Sequence, residues 1–165
     1  MSVLDIVKWP DPRLSEVCAP VTNPMTLHDL VQDMFETMYD AAGRGLAAPQ
    51  VGVMQRVFVM DPTWKEGPRT PYVCINPEIL TAGTTTAVAT EACLSIPGVS
   101  AEVTRPTEIA LAYTDLDGTR RETALTGFAA TCAQHELDHL DGTVILDRLD
   151  LDARSEVEAR YTALA

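Results

Sequence analysis

Apolar side chains recur at helical spacing in three parts of the chain. Between residues 27 and 42 they stand three or four positions apart, which predicts an amphipathic helix with Thr26 as its N-cap. A second helix is predicted over residues 128–140, since Gly142 follows as a stop signal. Residues 151–163 predict a short terminal helix.

The middle of the chain has a different pattern, rich in Val, Ile, Thr, Tyr and Ala. It predicts strands over residues 56–60, 72–76, 84–90, 108–114 and 120–124. Asp117-Gly118 is typical of a hairpin turn between the last two. The prolines of residues 1–24 and 62–71 predict an extended arm and a loop. Strands between flanking helices indicate an α+β fold with a mixed or antiparallel sheet, in a single domain over residues 1–165.

Composition and charge narrow the function classes. Twelve basic against 24 acidic residues give a net charge of −12, which argues against binding to nucleic acid or to an anionic membrane. No apolar run is long enough to span a bilayer, and the N-terminal residues do not resemble a secretory signal. The four cysteines form no CxxC pair, so we expect reduced thiols and a cytoplasmic location.

The candidate chemistry centres on the second predicted helix. His135 and His139 are four residues apart and would share one face, where two imidazoles can bind a divalent metal. Glu136 stands where it can reach a water at the metal. A surface helix with solvated histidines is the alternative. The largely apolar stretch before His135 favours burial, and therefore a metallohydrolase.

A third ligand is required, and several residues could provide it. Cys93 follows a predicted strand and precedes the Pro97-Gly98 turn signal, so a strand end would present it. Cys132 and Cys74 are alternatives, although a free cysteine is most often an inert buried thiol. Gln50, in a Gly- and Ala-rich segment, could donate a hydrogen bond to a developing oxyanion.

Three motifs in order resemble those of the peptide deformylases. Gly43 to Gln50 matches that family's Gly-x-Gly-Leu-Ala-Ala-x-Gln, and Gln134 to His139 matches its Gln-His-Glu-x-Asp-His. Glu91 to Ser95 matches Glu-Gly-Cys-x-Ser, with Ala92 in place of Gly. The Pro-Asp-x-Arg-Leu stretch near the N-terminus is also similar, so the resemblance covers nearly the whole chain.

The resemblance implies a fold, a metal site and a reaction. Mixed or antiparallel sheets would pack around a central metal-binding helix, with Cys93, His135 and His139 as ligands of ferrous iron. Zinc, nickel or cobalt would be possible substitutes. The reaction would remove the formyl group from formyl-methionyl peptides and release formate. Glu136 would act as general base and later protonate the leaving amine, while Gln50 and the Leu94 N–H would bind the formyl oxygen.

The resemblance also implies how the substrate is held. The residues expected to contact it are Gly45, Leu46, Ala92, Phe128, Thr131 and Arg44. Arg44, Ala92 and Thr131 depart from the family pattern, which is consistent with a specialised N-formyl substrate instead of general nascent chains. A positive φ at Ala92 would add strain, whereas a β conformation would tolerate its methyl group. The acidic C-terminal segment has no basic ribosome-docking tail, and we expect a monomer.

Two other functions use the same residues. Zinc endopeptidases also have His-Glu-x-x-His, but they usually take a distant His or Glu as third ligand, and no His follows His139. A catalytically silent metal- or peptide-binding homologue is the other alternative. The presence of Glu136, Gln50 and all three candidate ligands argues against it.

Overall fold

The computed structural model describes residues 2–165, which form an α+β fold with antiparallel sheets. In chain order the elements are α1 His28–Asp40, β1 Gly45–Ala47, β2 Val57–Met60, β3 Tyr72–Ala82, β4 Thr86–Cys93, β5 Ile96–Pro106, β6 Glu108–Thr114, β7 Arg120–Thr126, α2 Gly127–Leu140 and α3 Leu151–Ala163. One sheet has five strands in the order β1-β2-β3-β6-β7, and β4 pairs with β5 in a second sheet. The predicted fold class is confirmed.

Strand β2 shows how the large sheet is covered on both faces. Every residue from Val57 to Met60 is buried, in agreement with its continuous apolar run. Val57 and Val59 pack in the core with α1, whereas Phe58 and Met60 pack in the core with α2. The alternation of side chains along a strand therefore places the two helices on opposite faces of the sheet.

Helix α2 lies between the two sheets. Its apolar residues pack on the five-stranded sheet, and its polar residues reach β4 and β5 through contacts to Cys93 and Arg105. A third core joins β5 to α3 and to the 3₁₀ helix Ile145–Arg148. The predicted central helix is thus present, and it begins one residue earlier than expected.

Two local predictions were wrong. Helix α1 begins at His28 after a 3₁₀ turn over Pro24–Leu27, and Asn23 caps that turn by accepting from the Met25 N–H at 3.1 Å, so Thr26 is not the N-cap. Strand β5 was missed because Pro97-Gly98 is typical of a turn. Instead, the chain turns at residues 94–95, and Gly98 lies inside the strand with a φ of +85°. The short strand β1 was not predicted either.

Across residues 2–165, none of the helices combines the length and the apolar character that a membrane span requires.

Candidate metal centre

Three ligand atoms converge at the face of α2 that meets the end of β4. His135 and His139 lie one helical turn apart, with ring centroids 5.1 Å from each other. Cys93 is the last residue of β4, and its Sγ is 3.4 Å from Nε2 of His139. One ligand atom from each of the three residues lies within 4.8 Å of the other two. An ion with bonds of about 2.0–2.3 Å could contact all three.

The structure distinguishes Cys93 from the other cysteines that sequence reasoning left open. Within residues 2–165, the only group of three or more potential metal ligands contains Cys93 with the two histidines. Burial raises the pKa of Cys74 and of Cys132 far above the ordinary thiol value, which favours the protonated form of each. Because Cys74 and Cys132 do not belong to that group, Cys93 is the candidate ligand.

The chemistry of these donors fits a catalytic metal. One thiolate and two imidazoles are three protein ligands, which leaves a fourth position for water or substrate. Oε2 of Glu136, next to these donors, is buried without a protein partner. Buried polar atoms without partners are uncommon in native proteins, and they indicate that water or another group completes this site.

A buried ionic network orients His135. Its Nδ1 is 3.0 Å from Oε1 of Glu91, which leaves Nε2 free for the metal site. Arg105 on β5 donates to Glu91 at 2.7 Å and to Asp138 at 2.9 Å. Arg148 donates to the same Asp138 carboxylate at 2.5 Å. Burial raises the pKa of Glu91, but the hydrogen bonds from His135 and Arg105 outweigh it and leave that pKa below its ordinary value.

Sequence reasoning missed Arg105, Asp138 and Arg148 in this role. Glu91 and Asp138 belong to recognisable motifs, but Arg105 stands in a strand that was not predicted. The hydrogen bond from Arg105 to Asp138 joins residues 33 positions apart, so no local sequence pattern predicts it.

Glu136 lies beside the ligands. Its Oε1 is 3.7 Å from Nε2 of His135, and the residue is 3% exposed. Burial raises the pKa of Glu136 to about 7, in a site with other charged groups nearby. A carboxyl group with that pKa can both accept and donate a proton near neutral pH.

Gln50 presents its amide nitrogen to the centre. Its Oε1 accepts from the Ala47 N–H at 2.9 Å, so the NH₂ group must point the other way, towards Ser95 Oγ at 3.1 Å and Cys93 Sγ at 3.6 Å. The N-terminal arm supports this arrangement: the Val7 N–H donates to the Gln50 carbonyl and the Trp9 N–H donates to the Ser95 carbonyl. This role of the arm was not predicted.

A cavity of about 280 Å³ opens in front of the ligands. Of the predicted substrate residues, Arg44, Gly45, Ala92, Phe128 and Thr131 line it. Leu94, predicted to supply a backbone donor, lines it too.

The structure also defines the surroundings of Leu46, Ala92 and Gly45. Leu46 does not line the cavity, because its side chain is fully buried in the core under α1, so the predicted contact with substrate stays a prediction for its backbone alone. Ala92 pairs with Ser100 in the β4–β5 ladder and has no positive φ, so its methyl group adds no strain. Gly45 has no room for a side chain, since a Cβ would lie 2.8 Å from Cys132 Sγ and 3.0 Å from Glu136.

Comparisons with known proteins agree with this geometry. A sequence model of the family described as polypeptide deformylase matches residues 3–155. A peptide deformylase from Afipia carboxidovorans is 45% identical over all of this chain and 97% of its own length, and one from Alkalilimnicola ehrlichii is 47% identical over 99% and 92%. The crystal structure of the peptide deformylase from Ehrlichia chaffeensis in complex with actinonin superposes with a TM-score of 0.93, at 40% identity over 99% of this chain and 98% of that one.

Proposed function

Because the chain belongs to the polypeptide deformylase family, we propose that it hydrolyses the N-terminal formyl group of formyl-methionyl peptides and releases formate. Residues 1–165 act as one catalytic domain. The observation that carries the proposal is the convergence of Cys93, His135 and His139 beside a buried carboxyl group at a cavity. A metal held there would act as a Lewis acid, which makes water a better nucleophile and polarises the formyl carbonyl.

Glu136 moves the proton in this reaction. Its Oε2 has no protein partner and the residue lines the cavity, so it is free to accept a proton from the attacking water. The same carboxyl group then donates that proton to the departing amine nitrogen. Its pKa of about 7 suits both directions of transfer near neutral pH.

Gln50 and the backbone N–H of Leu94 stabilise the negative charge that develops on the formyl oxygen. The hydrogen bond from the Ala47 N–H to Oε1 of Gln50 fixes the side-chain amide, so that its NH₂ group points towards the ligands before substrate binds. A donor held in place in this way is typically worth about 10²–10³ in turnover.

The two sheets provide free edges for an extended peptide. Strand β1 is an outer strand of the five-stranded sheet, and β4 pairs on one side only. Gly45 on β1 and Ala92 on β4 both line the cavity, so their backbones can pair with substrate by strand addition. Phe128 and Thr131 of α2 form a wall for the first side chain of the peptide.

The metal and the cellular setting complete the proposal. The native metal that the family resemblance implies is ferrous iron, and a thiolate with two imidazoles can also bind zinc, nickel or cobalt as substitutes. Four unpaired cysteines are consistent with a cytoplasmic location. Helix α3 offers no surplus of basic residues for ribosome docking, since Arg154 pairs with Asp147 and Glu158 and Arg160 pairs with Glu156. The protein acts as a monomer on nascent chains that it meets by diffusion, or on a more specialised set of N-formyl substrates.

The decisive experiment measures formate release from formyl-Met-Ala-Ser by protein purified anaerobically and loaded with iron or zinc. The wild type should release formate, whereas Glu136→Gln should retain the metal, measured by elemental analysis, and lose nearly all turnover. Full activity of Glu136→Gln would refute the proton-transfer role. Cleavage of internal peptide bonds without formate release would favour a zinc endopeptidase, and metal binding without either activity would indicate a silent homologue.

A further inference from the structure

Arg44 lies at the mouth of the cavity, one residue before β1. Its guanidinium carbon is 4.8 Å from the centre of the Phe128 ring, a cation–π contact with a side chain that is 48% exposed. Its Nη2 pairs with Glu66, and its Nε is buried with no hydrogen-bond partner. The guanidinium is therefore held in place while part of its hydrogen-bonding capacity stays unused.

Lys65 provides a second cation on the same cavity wall. It belongs to the loop between β2 and β3, which is anchored beside the site because the Trp64 indole donates to the Gly43 carbonyl at 2.9 Å. The Lys65 ammonium group lies 5.7 Å from the Trp64 ring centre. The loop thus places Lys65 near the backbone segment that carries Arg44.

The charge at the mouth is opposite to that of the whole protein. The chain has a net charge of −12, which would repel acidic peptides and attract basic ones. The acidic residues that line the cavity are Glu91, which is tied to Arg105, and the buried Glu136. Arg44 and Lys65 line the cavity, and the exposed carboxylate of Glu66 pairs with Arg44.

We propose that Arg44, assisted by Lys65, selects formyl peptides that carry a carboxylate side chain within the two residues after the formyl-methionine. The inference rests on the proposed deformylase function. Gly45 lies against Glu136. If a bound peptide pairs with β1, the residues that follow its formyl-methionine therefore run from Glu136 past Arg44. An acidic side chain there can compete with Glu66 for the Nη groups of the guanidinium. Arg44 is a specificity residue, not a catalytic one.

The test compares kcat/KM for formyl-Met peptide amides with Asp or Asn at the second or the third position. The wild type should prefer Asp to Asn by about two- to fivefold at one of these positions, through a lower KM, and the preference should disappear at high salt. In Arg44→Gln the Asp and Asn peptides should have equal kcat/KM, and Arg44→Lys should restore part of the preference for Asp. Glu66→Gln should increase the preference.

Arg121→Gln is the matched control, since it removes the same charge from β7 at the other edge of the five-stranded sheet. It should keep the preference for Asp. Equal kcat/KM for Asp and Asn peptides at both positions in an active enzyme, or an equal loss of preference in Arg121→Gln, would refute the inference and leave the deformylase function intact. Absence of formate release from every peptide would refute both.

Discussion

Arg105→Met tests whether the buried network supports the metal centre. Arg105 is 5% exposed and neutralises Glu91 and Asp138, which are 6% and 8% exposed. Breaking a buried ion pair by removing one partner typically costs about 3–5 kcal/mol, because the other charge is left unpaired. Asp138 keeps Arg148 and Glu91 keeps His135, so we expect the lower end, about 3 kcal/mol.

The same substitution should weaken metal binding. Without Arg105, the Glu91 carboxylate is free to shift, and His135 loses the fixed hydrogen-bond acceptor that orients its ring. Loss of such an outer contact typically lowers metal affinity about 10–100-fold. Arg105→Lys keeps the positive charge, but an ammonium group cannot donate to both carboxylates in the way that a guanidinium group does. The loss of metal affinity in this variant should therefore be smaller than in Arg105→Met.

Urea denaturation and zinc titration against a chelating dye measure the two effects. Arg121→Met serves as the control, because its ion pairs are exposed and its removal should change neither quantity appreciably. If Arg105→Met lowered the free energy of unfolding by less than about 1 kcal/mol and bound zinc as tightly as the wild type, the network would not support the metal centre.

Four further substitutions probe the cavity and the ligand set. Gly45→Ala should cost about 1–3 kcal/mol and most of the turnover, because the new Cβ would displace Glu136; unchanged formate release would contradict the close packing. Thr131→Ile should raise kcat/KM for formyl-Met and formyl-norleucine peptides by about two- to fivefold, since it adds apolar surface to the cavity wall. If kcat/KM for these peptides relative to that for formyl-Leu peptides did not change, Thr131 would not contact the first side chain. Cys93→Ala should lose the metal by elemental analysis while Cys132→Ala keeps it; the opposite result would reassign the ligand.

The metal-binding helix could be predicted because its signals are local. The spacing of His135 and His139 puts both on one face, and the apolar stretch before them already indicated burial. The family followed from three motifs, and a mixed or antiparallel sheet followed from segments rich in Val, Ile, Thr, Tyr and Ala between the helices. Each motif and each predicted strand spans only a few neighbouring residues.

Other features depend on contacts between distant segments. The meeting of Cys93 with the two histidines required the approach of β4 to α2, which joins residues 46 positions apart at the Cys93–His139 contact. Strand β5 was hidden by Pro97-Gly98, because a turn preference acts locally while pairing with β4 stabilises the extended chain through long-range hydrogen bonds.

The sequence by itself determined the class of chemistry: a helix with two imidazoles and a carboxylate, and a family that uses them with a cysteine. Only the tertiary structure decided how those groups are held and what surrounds them. It set Arg105 between two buried carboxylates, oriented the Gln50 amide and brought Arg44 and Lys65 to one cavity mouth. The physical reason is that burial and charge pairing depend on which surfaces meet in space, whereas residue spacing along the chain reports only near neighbours.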